Sequence, residues 1–318
     1  MKEKLLELLK KADGYISGEE IGDILGVSRA AVWKGINALR KDGYVIEAAT
    51  NKGYMLKEEN DVISASWLEK NIETKYLAKK VLFFESTDST NEECKKIAAS
   101  CDEGVLVIAD EQTGGKGRLG RSWKSPKGSG VWMSMVLKPD ISPWAVSSVT
   151  LVAGLAVCMA IRELGLNASI KWPNDVYIDG RKTCGILTEM SAQMEKVDYV
   201  IVGIGINVNT EYFPEELENT ACSLYTEAGA KFERNAVISA VWKHFERLYD
   251  SFKQGGFSSV KAEYEENCIN IGKRVRVISS EGYEALAVGV NDNGELLVEK
   301  DNGESAAVFS GEVSIRNV

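Results

Sequence analysis

Glu111-Gln112-Thr113-Gly114-Gly115-Lys116-Gly117-Arg118-Leu119-Gly120-Arg121-Ser122-Trp123 is the stretch on which the reading of the fold turns. Four glycines stand among Lys116, Arg118 and Arg121. Glycine has no Cβ, so its backbone N–H can approach a ligand closely. Lysine and arginine add charge, and arginine adds a fork that matches carboxylate or phosphate oxygens. Such a loop suits an anionic ligand with several oxygens, held in a nest of N–H groups. The same composition also describes a mobile surface loop with solvated charges. It is not a Walker A loop, because no Gly-Lys-Ser/Thr closes it. Gly115 to Gly120 spell Gly-x-Gly-x-x-Gly, but nothing after them continues as a helix.

Working outward, Val105 to Ala109 is an apolar strand that delivers the chain to the loop, and Val81 to Phe84 is another before it. Asp88 or Ser89 caps a helix from Thr90 to about Ala99. After the loop, Val131, Met133 and Met135 alternate with Trp132 and Ser134, which predicts a half-buried strand. Ser148 to Leu164 reads as the central helix, and Asn235 to Phe252 as a second amphipathic one. Ile170–Trp172, Val176–Ile178, Cys184–Glu189 and Tyr199–Asn207 are strands, with a hairpin turn at Asp179-Gly180. Helices interspersed with hairpin-linked strands predict a mixed sheet with helices on one face rather than a Rossmann fold.

The flanks read as separate units. Leu5, Leu6, Leu8 and Leu9 form the stripe of a first helix. Ser17-Gly18-Glu19-Glu20 starts a second, running to Leu25 and ended by Gly26. Ser28 caps a third, through Ala31, Val32, Ile36 and Leu39, stopping near Gly43. Two helices on a short glycine turn make a helix-turn-helix, and Tyr44–Glu47 with Tyr54–Leu56 make its hairpin wing. The same pattern also suits a small packing module with no DNA role. Read as a DNA binder, the third helix turns Ser28, Arg29, Ala30, Trp33 and Lys34 to the major groove and the wing puts Lys52 on phosphate. Trp33 fits the groove face or the core. Glu58-Glu59-Asn60-Asp61 is an acidic linker. The last fifty residues hold short strands at 274–278, 284–290, 295–299 and 306–308 with tight Asn/Asp-Gly turns, a small SH3-like barrel. The expected domains are 1–60, 61–269 and 270–318, and the fold class is α+β.

Composition narrows the function. No apolar run of about 18 residues and no signal-peptide pattern is present, so a soluble, unsecreted chain without a membrane partner is expected. Six scattered cysteines with no Cys-x-x-Cys pair, and a single histidine, argue against zinc and disulfide frameworks and for a reducing cytoplasm. A net charge of −9 argues against a whole-molecule nucleic-acid coat but not against a local DNA-reading face. If an anionic small molecule and ATP are supposed as ligands, the cations Lys116, Arg118, Arg121 and Lys182 are available for joining a carboxylate to AMP, with Mg²⁺ supplementing them. That reaction needs no protein nucleophile, since the substrate carboxylate attacks.

The loop also has company: Asp88-Ser89-Thr90-Asn91 before it, then Lys171-Trp172-Pro173-Asn174-Asp175, Gly180-Arg181-Lys182-Thr183-Cys184-Gly185-Ile186-Leu187 and Gly203-Ile204-Gly205-Ile206-Asn207. In this order the motifs resemble the biotin–protein ligase family, over most of the chain. With both flanks, the chain resembles its bifunctional ligase/biotin-operon repressors. The resemblance implies a class II synthetase-like central domain that makes biotinyl-5'-AMP from biotin and ATP. Biotin then passes to a lysine of the biotin carboxyl carrier domain of acetyl-CoA carboxylase. It also implies biotin operator DNA as a partner and a homodimer when biotinyl-AMP is bound.

Site roles follow from the same resemblance. Lys182 and Arg118 are the catalytic pair. Ser89, Thr90, Asn91 and Gln112 hydrogen-bond the ureido ring, Gly115, Lys116, Gly117 and Arg118 wrap the ligand, and Gly185, Gly203 and Gly205 admit the biotin ring. Arg118, Arg121, Trp123, Lys171, Asn174, Asp175, Asn207 and Arg316 serve the nucleotide, and no protein metal site is expected. Lysine at 116, where relatives often carry arginine, keeps the charge but loses the fork. A ligand-sensing repressor without ligase activity and a lipoate–protein ligase are the alternatives.

Overall fold

A computed structural model describes residues 1–41, 44–57, 61–194, 196–278, 282–309 and 314–317, the side chains of Glu3, Lys41 and 314–317 excepted. The expected helix stop at Gly43, the linker residues Glu58 to Asn60 and the side chain of Arg316 therefore lie outside the described residues. Contacts divide the chain into two compact units, Met1–Ser64 and Ala65–Val318.

In the first unit, α1 (Lys2–Lys11), α2 (Gly18–Leu25) and α3 (Arg29–Lys41) close on Leu5, Leu9, Ile21, Val32, Ile36 and Leu39. Ser17 caps α2 by accepting from the Glu20 N–H at 3.0 Å, and Gly26 ends it at φ 66. The Ala31 N–H donates to Ser28 Oγ at 3.3 Å at the start of α3. β1 (Ile46–Ala49) and β2 (Gly53–Leu56) form the antiparallel wing. Short polar-faced helices of this length are marginal alone, and the shared apolar core fixes them.

The second unit is built on a seven-stranded sheet. Its strands are β3 (Lys80–Phe84), β4 (Val105–Ala109), β5 (Gly130–Leu137), β6 (Ala168–Lys171), β7 (Asp175–Ile178), β8 (Arg181–Gln193) and β9 (Lys196–Asn207). Their order across the sheet is β3-β4-β5-β9-β8-β7-β6. β3 and β4 run parallel and the other neighbours are antiparallel, so the sheet is mixed. Asp179 (φ 45) and Gly180 (φ 84) make the tight turn between β7 and β8. Both take left-handed conformations, as a primed hairpin turn requires.

Helices cover both faces, which corrects the one-face expectation. Around β5, Met133 Sδ accepts from Trp242 Nε1 at 3.2 Å, and Trp242 lies on α8 (Arg234–Gly255). The next residue, Ser134, meets Thr90 and Asn91 of α5 (Thr90–Ala98). Successive strand side chains point to opposite faces, so α8 and α5 sit on opposite sides. β5 is accordingly buried at every position rather than half-buried. α6 (Val146–Glu163) packs with α8, and it is buried from Val146 to Ile161 except at Ser147, Thr150 and Met159. Its apolar length comes from a core position: it contacts β8 as well as α8. Three short helices had no sequence signal: α4 (Ala65–Asn71), α7 (Leu224–Ala228) and α9 (Lys261–Asn267).

The chain ends in a five-stranded antiparallel sheet, β10 (Arg274–Ile278), β11 (Tyr283–Val290), β12 (Leu296–Glu299), β13 (Ser305–Val308) and β14 (Ser314–Asn317), ordered β13-β12-β11-β10-β14. Residue 270 marks a change of sheet and not a gap in packing. Trp172 Nε1 donates to the Gly294 carbonyl at 3.0 Å, and Ser148 Oγ donates to the Asn293 carbonyl at 2.9 Å. Asn270 Oδ1 accepts from the Trp172 N–H at 2.8 Å.

Candidate active site

The 111–123 loop is held by backbone hydrogen bonds, to residues 87–88 and within itself. Thr113 and Gly114 N–H donate to the carbonyls of Thr87 and Asp88 at 2.9 and 2.8 Å. Gly117 N–H donates to Arg121 at 2.7 Å and Trp123 N–H to Gly115 at 2.8 Å, which closes a small hairpin. At its tip, Arg118–Gly120 is a single 3₁₀ turn with Leu119 at φ 55. The loop's root is a part-buried ion pair: Asp110 Oδ1 accepts from the buried Arg234 Nη1 at 2.7 Å.

Below the loop, strand register decides what faces it. Ser134 pairs with Gly203, Leu187 with Gly203, Gly185 with Gly205, and Asp175 with Gly185. Register partners share a face, so Gly185, Gly203, Gly205, Ser134 and Asp175 all look towards α5. The space above two of these glycines is filled by the protein itself. A Cβ on Gly203 would come within 2.2 Å of Asn91 Oδ1, and one on Gly205 within 2.5 Å of Trp123 Nε1. Trp123 thus lies across the glycine floor, with its Nε1 buried and without a hydrogen-bond partner among the described residues.

Lys182 reaches this face through an irregularity. It lies three residues from Gly185, which in a regular strand means the opposite side. Val176 pairs with Cys184 but Tyr177 with Lys182, so Thr183 is an extra residue on β8. Such a bulge re-aims a side chain. Lys182 Nζ lies 2.5 Å from Asp175 Oδ1 in an ion pair, and 5.3 Å from the Trp123 ring centroid. Thr183 is buried and donates from Oγ1 to the Asn207 carbonyl at 3.4 Å.

Arg118 bends from the loop to the same place. Its Nη1 donates to Asn174 Oδ1 at 2.8 Å, and Asn174 Nδ2 donates to the Ile186 carbonyl at 3.0 Å. The two cations therefore meet consecutive residues, Asn174 and Asp175. Burial pulls the Arg118 guanidinium below its ordinary value, and Asp175 opposes this. Burial likewise pushes the neighbouring Tyr177 hydroxyl up to about 12.

At the other end lies a polar cluster. Gln112 Oε1 accepts from the Thr90 N–H at 2.9 Å and from Thr90 Oγ1 at 3.1 Å, while Gln112 Nε2 donates to Ser125 Oγ at 2.9 Å. Ser134 Oγ donates to Asn91 Oδ1 at 2.6 Å, and Asn91 Nδ2 donates to Glu189 Oε2 at 2.8 Å. This corrects the expected cap of α5. Ser89 occupies the N-cap position but makes no capping bond. Gln112 supplies it from the loop, and Ser89 is left buried at the cleft wall.

These elements enclose a cleft of about 1270 Å³. Of the predicted ligand residues, Ser89, Thr90, Asn91, Gln112, Lys116, Gly117, Arg118, Arg121, Trp123, Lys171, Asn174, Asp175, Lys182, Gly185, Gly203, Gly205 and Asn207 line it. Gly115 does not; a Cβ there would meet the Trp123 carbonyl at 2.4 Å, so it serves the hairpin. Asn207 is buried, with Nδ2 donating to the Cys222 carbonyl at 3.1 Å. Sequence reasoning missed Ser125 and Ser134, which orient Gln112 and Asn91, and the wall from Tyr212 to Leu217. In the N-terminal unit, Ser28, Arg29, Ala30, Trp33, Lys34 and Lys52 are all exposed. Trp33, at 57% exposure, is not core. Arg29 is paired with Glu19.

A cleft with polar groups at one end and two converging cations at the other suits a carboxylate-activating enzyme, and the separate N-terminal unit has the winged helix-turn-helix of a DNA-binding module. Comparison with known proteins gives the family. Residues 83–207 match the biotin/lipoate A/B protein ligase family, 2–55 an HTH domain and 271–316 the biotin protein ligase C-terminal domain. The chain is 40% identical to the bifunctional ligase/repressor BirA of Bacillus subtilis, over 99% of this chain and 98% of that protein. It is 31% identical to the Escherichia coli protein of the same name, over 99% and 97%. The biotin protein ligase of Aquifex aeolicus, solved with biotin and ATP, superposes with a TM-score of 0.68 at 33% identity, covering 76% of this chain and all of that one. The chain belongs to the biotin–protein ligase family, in its bifunctional ligase/repressor branch.

Proposed function

We propose that this chain joins biotin to AMP and transfers it to a lysine of a biotin carboxyl carrier domain, and that it represses biotin genes through its winged helix. The observation that carries the enzymatic reading is the convergence of Lys182 and Arg118 on Asp175 and Asn174 at one end of a glycine-floored cleft. In the first step a biotin carboxylate oxygen attacks the α-phosphorus of ATP, and the bond to pyrophosphate breaks. Lys182 and Arg118 neutralise charge on the phosphate oxygens as they crowd. In the second step the acceptor lysine amine attacks the acyl carbon and AMP leaves. Gln112, Thr90 and Asn91, already oriented by Ser125 and Ser134, meet the ureido ring at the far end; buried polar groups need such partners. Trp123 serves the adenine side.

Magnesium accompanies the triphosphate. Bound to the nucleotide phosphates, it would supplement the positive charge of Lys182 and Arg118. Biotinyl-AMP-dependent homodimerisation, operator binding through Ser28, Arg29, Ala30, Trp33, Lys34 and Lys52, and a cytoplasmic setting that keeps the six cysteines as free thiols complete the proposal. Mass analysis of an acceptor domain incubated with the chain, ATP and either biotin or lipoate tests it. Mass gained with biotin alone is expected. Mass gained only with lipoate would give the lipoate reading, and no gain with either would leave a ligand-sensing repressor.

A further inference from the structure

Lys116 is the loop cation whose side chain turns to another protein element outside the Asn174–Asp175 corner. Its Nζ lies 2.6 Å from Glu92 Oε1, in the first turn of α5. The same Glu92 oxygen takes Lys95 Nζ at 2.9 Å, and Lys95 Nζ lies 2.8 Å from Glu189 Oε1. Glu189 uses its other oxygen on Asn91. Cations and anions thus alternate along one line from the neck of the loop, across α5, to β8 and the polar end of the cleft. Lys116 stands at the loop's paired rung with Ser122, where a tether has most leverage on the tip. Lys116 first and Lys95 second hold the Glu92 carboxyl down at about 2. The N-terminal turn of α5 favours the same anion.

We propose that Lys116 is a positioning residue: with Glu92 its ammonium forms an ionic latch that holds the 111–123 loop shut over an occupied cleft, and that ammonium makes no contact with the ligand's charged groups. This rests on the reading of the cleft as a biotinyl-AMP site. A ligand contact and a latch differ in what restores them. A contact to carboxylate or phosphate needs a cation at 116 whatever stands at 92. A latch needs opposite charges at 92 and 116, in either order. Both side chains are partly exposed, so the pair is screened by salt and its loss is small, about two- to fivefold in rate.

The test is release of synthetic biotinyl-AMP from the full chain, chased with excess unlabelled ligand at low and high salt. Supplying the adenylate separates this test from the chain's ability to make it. Wild type is expected to release faster as salt rises. Glu92→Gln and Lys116→Gln should release about two- to fivefold faster at low salt and lose most of the salt dependence. Lys116→Glu should be leakier still, and the exchange Glu92→Lys with Lys116→Glu should be tighter than Lys116→Glu alone and regain a salt response, while falling short of the wild-type rate because a lysine at 92 meets Lys95 and the positive end of α5. An exchanged pair as leaky as Lys116→Glu alone, or Glu92→Gln releasing at the wild-type rate, would overturn the latch while leaving the ligase reading intact. A wild type that holds no biotinyl-AMP removes the site and the latch together.

Discussion

Gly203→Ala tests the idea that Asn91 is held in place for a ligand by the absence of a single carbon. The new Cβ would lie 2.2 Å from Asn91 Oδ1 and 2.9 Å from its Cγ, closer than side chains tolerate. Asn91 cannot simply lean aside. Its Oδ1 accepts from Ser134, and its Nδ2 donates to Glu189 and, at 3.3 Å, to the Leu187 carbonyl. Overpacking of this kind costs about 1–3 kcal/mol, and each hydrogen bond surrendered adds about 1 kcal/mol. If the carboxamide leaves, biotin loses one oriented partner, while Lys182 and Arg118 stay where they are. The cost therefore falls on ground state and transition state alike, which raises KM and spares kcat. At about 1.4 kcal/mol per tenfold, the KM for biotin should rise between about fivefold and a hundredfold. Pyrophosphate release against biotin concentration measures it, with a thermal melt to show that the sheet has folded. Asn91→Ala supplies the control, since Gly203→Ala should add little once the carboxamide is gone. A folded Gly203→Ala protein with the wild-type KM would refute the reasoning.

Four further outcomes are expected. Lys182→Ala should cut pyrophosphate release by about a hundredfold or more at saturating substrates, and a rate near wild type would remove Lys182 from the chemistry. Arg118→Gly should release biotinyl-AMP about ten- to a hundredfold faster, the worth of charged hydrogen bonds, seen as free adenylate in a filtrate; tight retention would give the loop tip another job. Removal of residues 1–64 should abolish operator binding in a mobility-shift assay and spare adenylate formation, and unchanged binding would refute the DNA-reading face. Sedimentation should show more dimer with biotin plus ATP than with either alone, and equal dimer in all three would refute the ligand-dependent assembly.

Much of this was legible in the sequence because local chemistry and tertiary structure agree. The Ser17 cap, the Gly26 stop and the Asp179-Gly180 turn are residues whose local preference is also what the fold needs. The misses share one cause, which is that a distant segment decided the matter. Ser134 reads as a solvent-facing position in an alternating strand, yet it is buried because α5 supplies partners in Thr90 and Asn91. Ser89 reads as a cap, yet Gln112 arrives 22 residues later to satisfy the Thr90 N–H. A helix as short as α4 or α7 holds too little periodicity to announce itself.

Lys182 carries this argument furthest. A regular β8 would point it away from Gly185, and counting along the strand would set the expected catalytic cation on the face covered by α6 and α8. The extra residue Thr183 reverses that. Nothing in Lys182-Thr183-Cys184 marks a bulge, because the bulge is stabilised from outside. The Lys182 N–H donates to the Thr220 carbonyl at 2.8 Å and the Lys182 carbonyl accepts from the Cys222 N–H at 2.9 Å. Thr183 is fixed through its hydroxyl on Asn207. The backbone of a segment forty residues downstream thus holds the register slip that turns a β-strand lysine into the cleft. The 220–222 segment therefore belongs to the geometry of the proposed site as fully as the glycine-rich loop does, although it contributes no charged group to it.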